Sequence, residues 1–401
     1  MEKARLQPLK GFRDFLPEQA KKREFVINTL KEVFSSYGFE PLETPALEYS
    51  SVLLKKYGKE AEKLIYQFKD RGDRDIGLRY DFTVPLARFM ATNPNLSLPF
   101  KRYQIGPIWR AEKPQAGRFR EIWQADIDTV GVKIVFADAE IINCALEVMK
   151  DLGFRNYSMK INDRQIFQDY GLSLKAITEL DKKEKEGTEP FLKELMTEGK
   201  TEKETQGIYQ KIIKTKKTKA LEDLFSFLDE KRVSFDPTLA RGLDYYNSII
   251  FELRVSQYGN LSVGGGGRYD NLIGQFAERD IPATGFSFGI DRLIEAMEQQ
   301  GLFKKIKTTS SQILVTVFSP EYLEKSIELS KILRQNKMRV EVYLKEDKLD
   351  KQIKYADKKG IKYVIILGPD EEKSGTVTVK NMEKGSQETI PQEKLEDYFN
   401  N

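Results

Sequence analysis

Apolar positions fall into three regimes along this chain, and each predicts a different architecture. After Pro17, Phe25, Leu30 and Phe34 recur on one side of a helix that Gly38 ends; Phe39-Glu40-Pro41-Leu42-Glu43-Thr44-Pro45 then reads as an extended segment. Short strands are expected around Leu78-Arg79-Tyr80-Asp81 and Phe100-Lys101-Arg102-Tyr103-Gln104-Ile105, with a helix through Val84, Leu86 and Met90 between them. Ile108-Trp109-Arg110, a loop, and Ile122-Trp123-Gln124-Ala125-Asp126-Ile127-Asp128 predict an antiparallel hairpin in a larger sheet. That sheet resumes at Ser248-Ile249-Ile250-Phe251-Glu252-Leu253, and a helix starts near Asp291. The second regime, about residues 162–235, is helical, lysine-rich and poor in glycine, as expected of an insertion between two halves of the sheet domain. The third follows a polar linker at 301–312. There Ile313-Leu314-Val315-Thr316-Val317, Val340-Glu341-Val342-Tyr343 and Tyr363-Val364-Ile365-Ile366-Leu367 read as strands, with a helix from Tyr322 to Gln335 after the first. This alternation predicts a small α/β domain with a mostly parallel sheet.

Composition narrows the chemistry. The chain has 401 residues, 40% of them hydrophobic, enough for two or three domains with real cores. No apolar run reaches membrane-spanning length, and Met1-Glu2-Lys3-Ala4-Arg5 leads into no secretory core, so a soluble cytoplasmic protein with no membrane partner is expected. One cysteine, Cys144, allows neither an intramolecular disulfide nor a cysteine-based zinc cluster. There is no histidine at all, which removes every mechanism needing imidazole as base, nucleophile or metal ligand. Any catalysis must therefore run on arginines, carboxylates and tyrosines, with or without magnesium. Lys plus Arg is 66 against 62 for Asp plus Glu, a net charge of only +4, so any nucleic-acid contact must come from local clusters. The clearest is Lys211, Lys214, Lys216, Lys217 and Lys219, which reads equally as a solvated helix face or an RNA-facing patch.

Two segments carry the sharpest chemical signal: Ala240-Arg241-Gly242-Leu243-Asp244-Tyr245-Tyr246 and Gly264-Gly265-Gly266-Gly267-Arg268-Tyr269-Asp270. Each sets an arginine beside tyrosine where glycines let backbone approach a ligand. A guanidinium suits phosphate or carboxylate, and a tyrosine hydroxyl suits a polar ring. Together they suit a site holding an anion and a small polar molecule, though either alone could be a glycine-rich hairpin packed with aromatics.

With these segments in view, the chain resembles the histidyl-tRNA synthetase family, class II aminoacyl-tRNA synthetases, over nearly its whole length. Motif 1 matches the helix ending in Phe39 to Pro45, motif 2 matches Trp109-Arg110-Ala111-Glu112 through Asp128, and motif 3 matches Gly285-Phe286-Ser287-Phe288-Gly289-Ile290-Asp291-Arg292-Leu293. The two segments above look like the family's histidine-specific signatures. The resemblance implies an α+β fold: a class II antiparallel sheet flanked by helices, a helical insertion, and a C-terminal α/β anticodon-binding domain. The divisions expected are a catalytic domain at 1–300, the linker at 301–312 and the anticodon-binding domain at 313–401, in a symmetric homodimer built on motif 1.

The implied reaction joins L-histidine to tRNA(His) through an adenylate made from ATP, with Mg2+ carried by the ATP phosphates. Attack of a carboxylate on a phosphate concentrates negative charge, so positioned cations are the main requirement. By resemblance, Arg110 holds the α-phosphate, Arg292 lies over adenine and the γ-phosphate, and Arg241 takes the place of a metal at the α-phosphate. Asp81, Thr83 and Gln124 receive the α-amino end, and Asp128, Tyr246 and Tyr269 surround the imidazole with Tyr245 nearby. Asp81 and Asp128 stand where relatives can carry glutamate, so they reach less far. Glu112 reads the adenine amino group. Ile122 stands where many members stack an aromatic on adenine; either it covers the base by apolar contact or Trp123 compensates, although strand alternation argues against Trp123. The loop 112–117 should approach the acceptor end of tRNA, with Arg118 and Arg120 as contacts to ATP or to terminal phosphates.

Two other readings share this fold. A regulatory paralogue of the ATP phosphoribosyltransferase type would bind histidine without charging tRNA, but such proteins typically lack the C-terminal domain and several catalytic residues. Synthetases for threonine, proline or glycine share the C-terminal domain type, but the threonine enzyme needs a cysteine and histidine zinc site that this chain cannot build.

Overall fold

A computed structural model describes residues 6–61, 64–112, 119–241, 245–256, 258–259, 262–277, 279–304 and 309–400. It divides into two compact units. The first comprises the chain to Phe15 and from Arg23 to Lys304, the second Leu16–Lys22 and the chain from Lys305 onward.

The first unit is built on one eight-stranded sheet. Its elements begin with helix α1 (Pro17–Ser36), which belongs to this unit from Arg23 onward, strands β1 (Glu40–Pro41) and β2 (Leu47–Tyr49), helix α2 (Ser50–Ala61), strands β3 (Gln67–Lys69) and β4 (Asp75–Leu78), and helix α3 (Thr83–Thr92). Then come β5 (Phe100–Trp109), β6 (Glu121–Val130), α4 (Phe136–Asp151), β7 (Tyr157–Asp163), a helical stretch, β8 (Val233–Phe235), β9 (Ile249–Val255), β10 (Ser262–Arg268), β11 (Ala283–Gly289) and α11 (Ile290–Gln299). Strand order is β1-β5-β6-β11-β10-β9-β7-β8; its interior pairings are antiparallel, but β1 joins β5, and β8 joins β7, in parallel. The expected antiparallel sheet is thus correct for its interior and not for its two edges. A separate three-stranded sheet, β2-β4-β3, lies beside α2.

Several expected boundaries shift for physical reasons. Arg79-Tyr80-Asp81 was expected in a strand, yet β4 stops at Leu78. The chain turns there because Asp81 Oδ1 accepts the backbone N–H groups of Thr83 and Val84 (3.1 and 3.0 Å), capping α3. The lysine-rich region is helical from Gln165 to Phe225 in six helices, α5 to α10 (Gln165–Asp169, Leu174–Asp181, Lys183–Glu186, Glu189–Thr197, Glu202–Ile213, Lys219–Phe225). Both ends of the expected 162–235 insertion instead belong to the sheet: Asn162 and Asp163 close β7, and 233–235 form β8. Asn162 is fully buried, donating to the carbonyls of Pro237 and Leu239.

The second unit carries a five-stranded sheet. Its strands are β12 (Ile313–Val315), β13 (Val340–Val342), β14 (Tyr363–Ile366), β15 (Thr376–Asn381) and β16 (Ser386–Pro391), in the order β13-β12-β14-β15-β16. The expectation of a mostly parallel sheet is corrected: β12 pairs in parallel with β13 and β14, but β14-β15 and β15-β16 are antiparallel. Strands β15 and β16 form a hairpin the apolar pattern hid, since β16 is almost wholly exposed and polar. Helices α12 (Leu323–Gln335), α13 (Leu349–Lys359), α14 (Pro369–Ser374) and α15 (Leu395–Asn400) complete the unit. Among the described residues, no helix is long and apolar enough to cross a membrane.

Candidate active site

The antiparallel interior of the large sheet brings polar side chains from distant parts of the sequence into cross-strand rows. Side chains alternate along β6, so Gln124, Asp126 and Asp128 share one face. Opposite Asp128 stand Arg102 on β5 and Gly285 on β11; opposite Asp126 stand Gln104 and Ser287; opposite Gln124 stand Gly106 and Gly289. The Asp126 row runs on through Gly265 on β10 to Glu252 on β9. Above this face opens a cleft of about 300 Å³.

One glycine of β10 and one of β11 are explained by what lies over them. A methyl at Gly265 would overlap the guanidinium of Arg241, and one at Gly285 would overlap the carboxylate of Asp128. Arg241 Nη1 pairs with Glu252 at 3.2 Å, and its side chain remains about one-fifth exposed toward the cleft. Arg110 also borders the cleft, its guanidinium 4.5 Å from the ring centre of Tyr80, with Nε buried and lacking a hydrogen-bond partner. Arg292 borders it as well and donates from Nη1 to the Ser262 carbonyl at 3.0 Å. The three arginines singled out from the sequence therefore come together at one cavity. Gly242, Leu243 and Asp244 of the first signature lie outside the described residues.

Asp81, Thr83, Gln124, Tyr245 and Tyr246 line the same cleft. Gln124 Oε1 is buried without a hydrogen-bond partner, which suits an acceptor waiting for an ammonium group. The rings of Tyr245 and Tyr246 sit 4.4 Å apart. Asp128 and Tyr269, expected around the imidazole, do not line the cleft. Tyr269 is buried and donates its hydroxyl hydrogen bond to Asp128, whose other oxygen lies 2.7 Å from the fully buried Arg102. Burial raises the Asp128 pKa although Arg102 opposes the shift. The aspartate is short, so its charge is spent on Arg102 beneath the cleft floor.

The carboxylate that does face the cleft is Asp126, which the sequence reading passed over. It accepts a 2.5 Å hydrogen bond from the Ser287 hydroxyl. Burial pushes its pKa up to about 7, opposed by Arg102 and reinforced by Asp128 and Asp81. Tyr80 was also missed; it lines the cleft, donates to Glu112 at 3.0 Å, and is pushed up to about 12 chiefly by burial. Period-two spacing from Gln124 already placed Asp126 on the right face, and that signal was available in the sequence.

At the opposite end Ile122 and Trp123 border the cleft with Phe119, Gly289, Asp291 and Arg292. Arg23 lies over the Trp123 ring at 5.0 Å. Arg120 is not among the lining residues; its backbone N–H donates to the Gly11 carbonyl (2.8 Å) and its Nε to the Glu112 carbonyl (3.1 Å). Of the loop 112–117 only Glu112 is described, and Arg118 also falls outside the described residues. Among the five lysines of the basic cluster, Lys219 pairs with Asp223 at 2.6 Å and Lys217 covers the Phe225 ring at 3.6 Å, whereas Lys211, Lys214 and Lys216 are exposed.

Comparison with known proteins bears on the whole chain. A family model described as histidyl-tRNA synthetase matches residues 11–214 and 171–293, and one described as an anticodon binding domain matches 312–401. The chain is 39% identical to a histidine–tRNA ligase of Aeropyrum pernix, over 98% of this chain and 97% of that one. It is 35% identical to the histidine–tRNA ligase of Cytophaga hutchinsonii, over 96% and 97%. Among solved structures, the histidyl-tRNA synthetase of Nostoc sp. PCC 7120 superposes with a TM-score of 0.84 at 28% identity, covering 99% of both chains.

Proposed function

This chain belongs to the histidyl-tRNA synthetase family, and from that premise we propose how its cleft performs the reaction. The activity is that of an ATP-dependent aminoacyl-tRNA ligase, which activates histidine and transfers it to tRNA. A carboxylate oxygen of histidine attacks the α-phosphorus of ATP, the bond to the bridging oxygen breaks, and pyrophosphate leaves. A terminal ribose hydroxyl of tRNA(His) then attacks the activated carbonyl, and AMP leaves.

The observation that carries this reading is the convergence of Arg110, Arg241 and Arg292 on one cleft whose floor is polar. Arg110 and Arg241 face the α-phosphate, where charge builds in the transition state, and fixed guanidinium groups stabilise it without reorganising. Arg292 takes the γ-phosphate and adenine, and Glu112 the adenine amino group. Asp81, Thr83 and Gln124 hold the ammonium end of histidine, and Tyr245 and Tyr246 border its ring; Asp128 and Tyr269 support that pocket from beneath. Mg2+ would be held by the ATP phosphates and would offset part of their charge, with no protein ligand assigned to it. The cleft's donor set fits that role, because Glu252 is already engaged by Arg241 and Arg254, and Asp126 by Ser287.

The C-terminal unit, from residue 312, serves as the anticodon-binding domain in this reading. Exposed Lys214 and Lys216 add an RNA-facing surface. A symmetric cytoplasmic homodimer completes it. Leu47, Tyr49 and Phe68 are exposed on one face of the β2-β4-β3 sheet, the kind of apolar area a second copy would cover. The regulatory-paralogue alternative would leave three cations gathered for no reaction. Pyrophosphate exchange across a panel of amino acids tests the proposal: exchange with histidine alone supports it, and histidine binding without exchange would favour the paralogue.

A further inference from the structure

The sequence leaves one gap in this site: Ile122 offers no aromatic face to a purine. Phe119 lines the same end of the cleft, beside Asp291 and Arg292. The guanidinium of Arg13 lies 3.2 Å from the centre of the Phe119 ring, and Arg13 itself does not border the cleft. Phe119 thus borders the cavity while carrying the guanidinium of Arg13 over one face of its ring.

Arg13 is fixed from both sides. Its Nη2 donates to Asp291 Oδ1 at 2.8 Å, and Asp291 Oδ2 accepts the backbone N–H of Trp123 at 3.0 Å. The segment before it is pinned to the residue after Phe119: the Arg120 N–H donates to the Gly11 carbonyl at 2.8 Å, and Arg120 Nη1 reaches the Lys10 carbonyl at 3.4 Å. Gly11 has φ +91°, and its missing side chain leaves room for the Arg120 stem. One short N-terminal stretch thus ties the ring to the first turn of α11, where Arg292 starts.

We infer that Phe119, braced from behind by Arg13, is the aromatic platform on which the adenine of ATP stacks, supplying the face that Ile122 lacks. Phe119 is then a binding residue and Arg13 a positioning residue acting through it. The inference rests on the proposed use of ATP, and the test separates the two. Base-on-aromatic stacking lost by truncation corresponds to about tenfold in affinity. Phe119→Ala should raise KM for ATP in histidine-dependent pyrophosphate exchange by about that factor and weaken competitive inhibition by adenosine equally. KM for histidine and inhibition by tripolyphosphate should stay unchanged, and Phe119→Trp should restore ATP affinity. Arg13→Ala should raise KM for ATP by less, and the Arg13→Ala/Phe119→Ala pair should be no worse than Phe119→Ala alone, since both act through one ring. A folded Phe119→Ala protein with unchanged KM for ATP and unchanged adenosine inhibition would overturn the inference, as would a parallel rise in KM for histidine. Wild-type protein without histidine-dependent exchange would instead defeat the proposed function; calorimetric titration of adenosine into wild type and Phe119→Ala would still decide the platform, equal affinities overturning it.

Discussion

The eight-stranded and five-stranded sheets of this protein use their interiors in opposite ways. In the C-terminal unit both faces are aliphatic: Ile313, Val315, Ile365, Val377 and Val379 pack with Leu329 and Leu333 on one side, and Leu314 and Val364 with Ala356 and Ile361 on the other. Among its buried polar groups, Gln352 is fully engaged, donating to the carbonyls of Val317 and Asp347 and accepting from the Val317 N–H. The catalytic sheet buries Arg102, Gln104, Asp126, Asp128 and Glu252, and at the cleft Gln124 Oε1 and Arg110 Nε are left without hydrogen-bond partners. A buried polar group that is satisfied serves the fold. One left unsatisfied beside a cavity, at a cost of about 1–3 kcal/mol each, points to a ligand that completes it. The second sheet has no such residue among those described.

The contrast should break most visibly at Arg102. It is fully buried against Asp128, so Arg102→Met leaves the carboxylate buried without its cation and should cost about 3–5 kcal/mol in urea unfolding. Adding Asp128→Asn should return part of that loss. In the aliphatic sheet, Ile365→Val removes only a buried methylene and should cost about 0.5–1.5 kcal/mol. If Arg102→Met were as mild as Ile365→Val, the buried pair would not be what holds the floor of the cleft.

A next, smaller effect separates chemistry from packing. Arg241→Ala should slow histidine-dependent adenylate formation by at least about 10², the worth of one preorganised group on a developing charge. Gly265→Ala should mimic it with the arginine still present, because the added methyl occupies the place of the guanidinium, the movable end of a flexible side chain. Exchange rates near wild type in Gly265→Ala, with melting unchanged, would show that the Arg241 position does not matter to the reaction.

These residues also mark how far the sequence could be read. Arg241, Tyr245 and Tyr246 were visible because they share one glycine-bearing segment whose chemistry is local, and Arg110 and Arg292 through the motifs they stand in, whereas Tyr80 was not. The Arg102–Asp128 pair was not, because cross-strand register is a through-space property: residues 26 positions apart face each other only once β5 and β6 are aligned. The same register hid the exchange of roles between Asp126 and Asp128. The main elements of both units followed from apolar spacing, but the β15-β16 hairpin did not, since an exposed edge strand such as Ser386–Pro391 carries no alternation to detect. Arg79-Tyr80-Asp81 misled for another reason: its apolar and polar pattern suits a strand, yet the cap that Asp81 makes on α3 decides the backbone.

The last predicted effect is graded with pH, a slope that only the catalytic sheet should contribute through Asp126. Its pKa is pushed up to about 7 in the folded chain, against about 3.9 for an unperturbed aspartate. Between those values the folded form holds a proton that the unfolded form has lost, so the contribution of Asp126 to stability is full below pH 4 and is withdrawn as pH rises toward 7. The slope across that window is about −1.4 kcal/mol per pH unit for a group this buried. Asp126→Asn keeps an acceptor for the Ser287 hydroxyl and cannot ionise, so the difference in unfolding free energy between variant and wild type should widen from pH 5 to pH 7 and level off above it. Denaturant titrations at half-unit intervals would measure the difference directly. A constant difference across the range would mean that Asp126 is ionised throughout, held so by Arg102, and that the charge of the cleft floor does not change near neutrality.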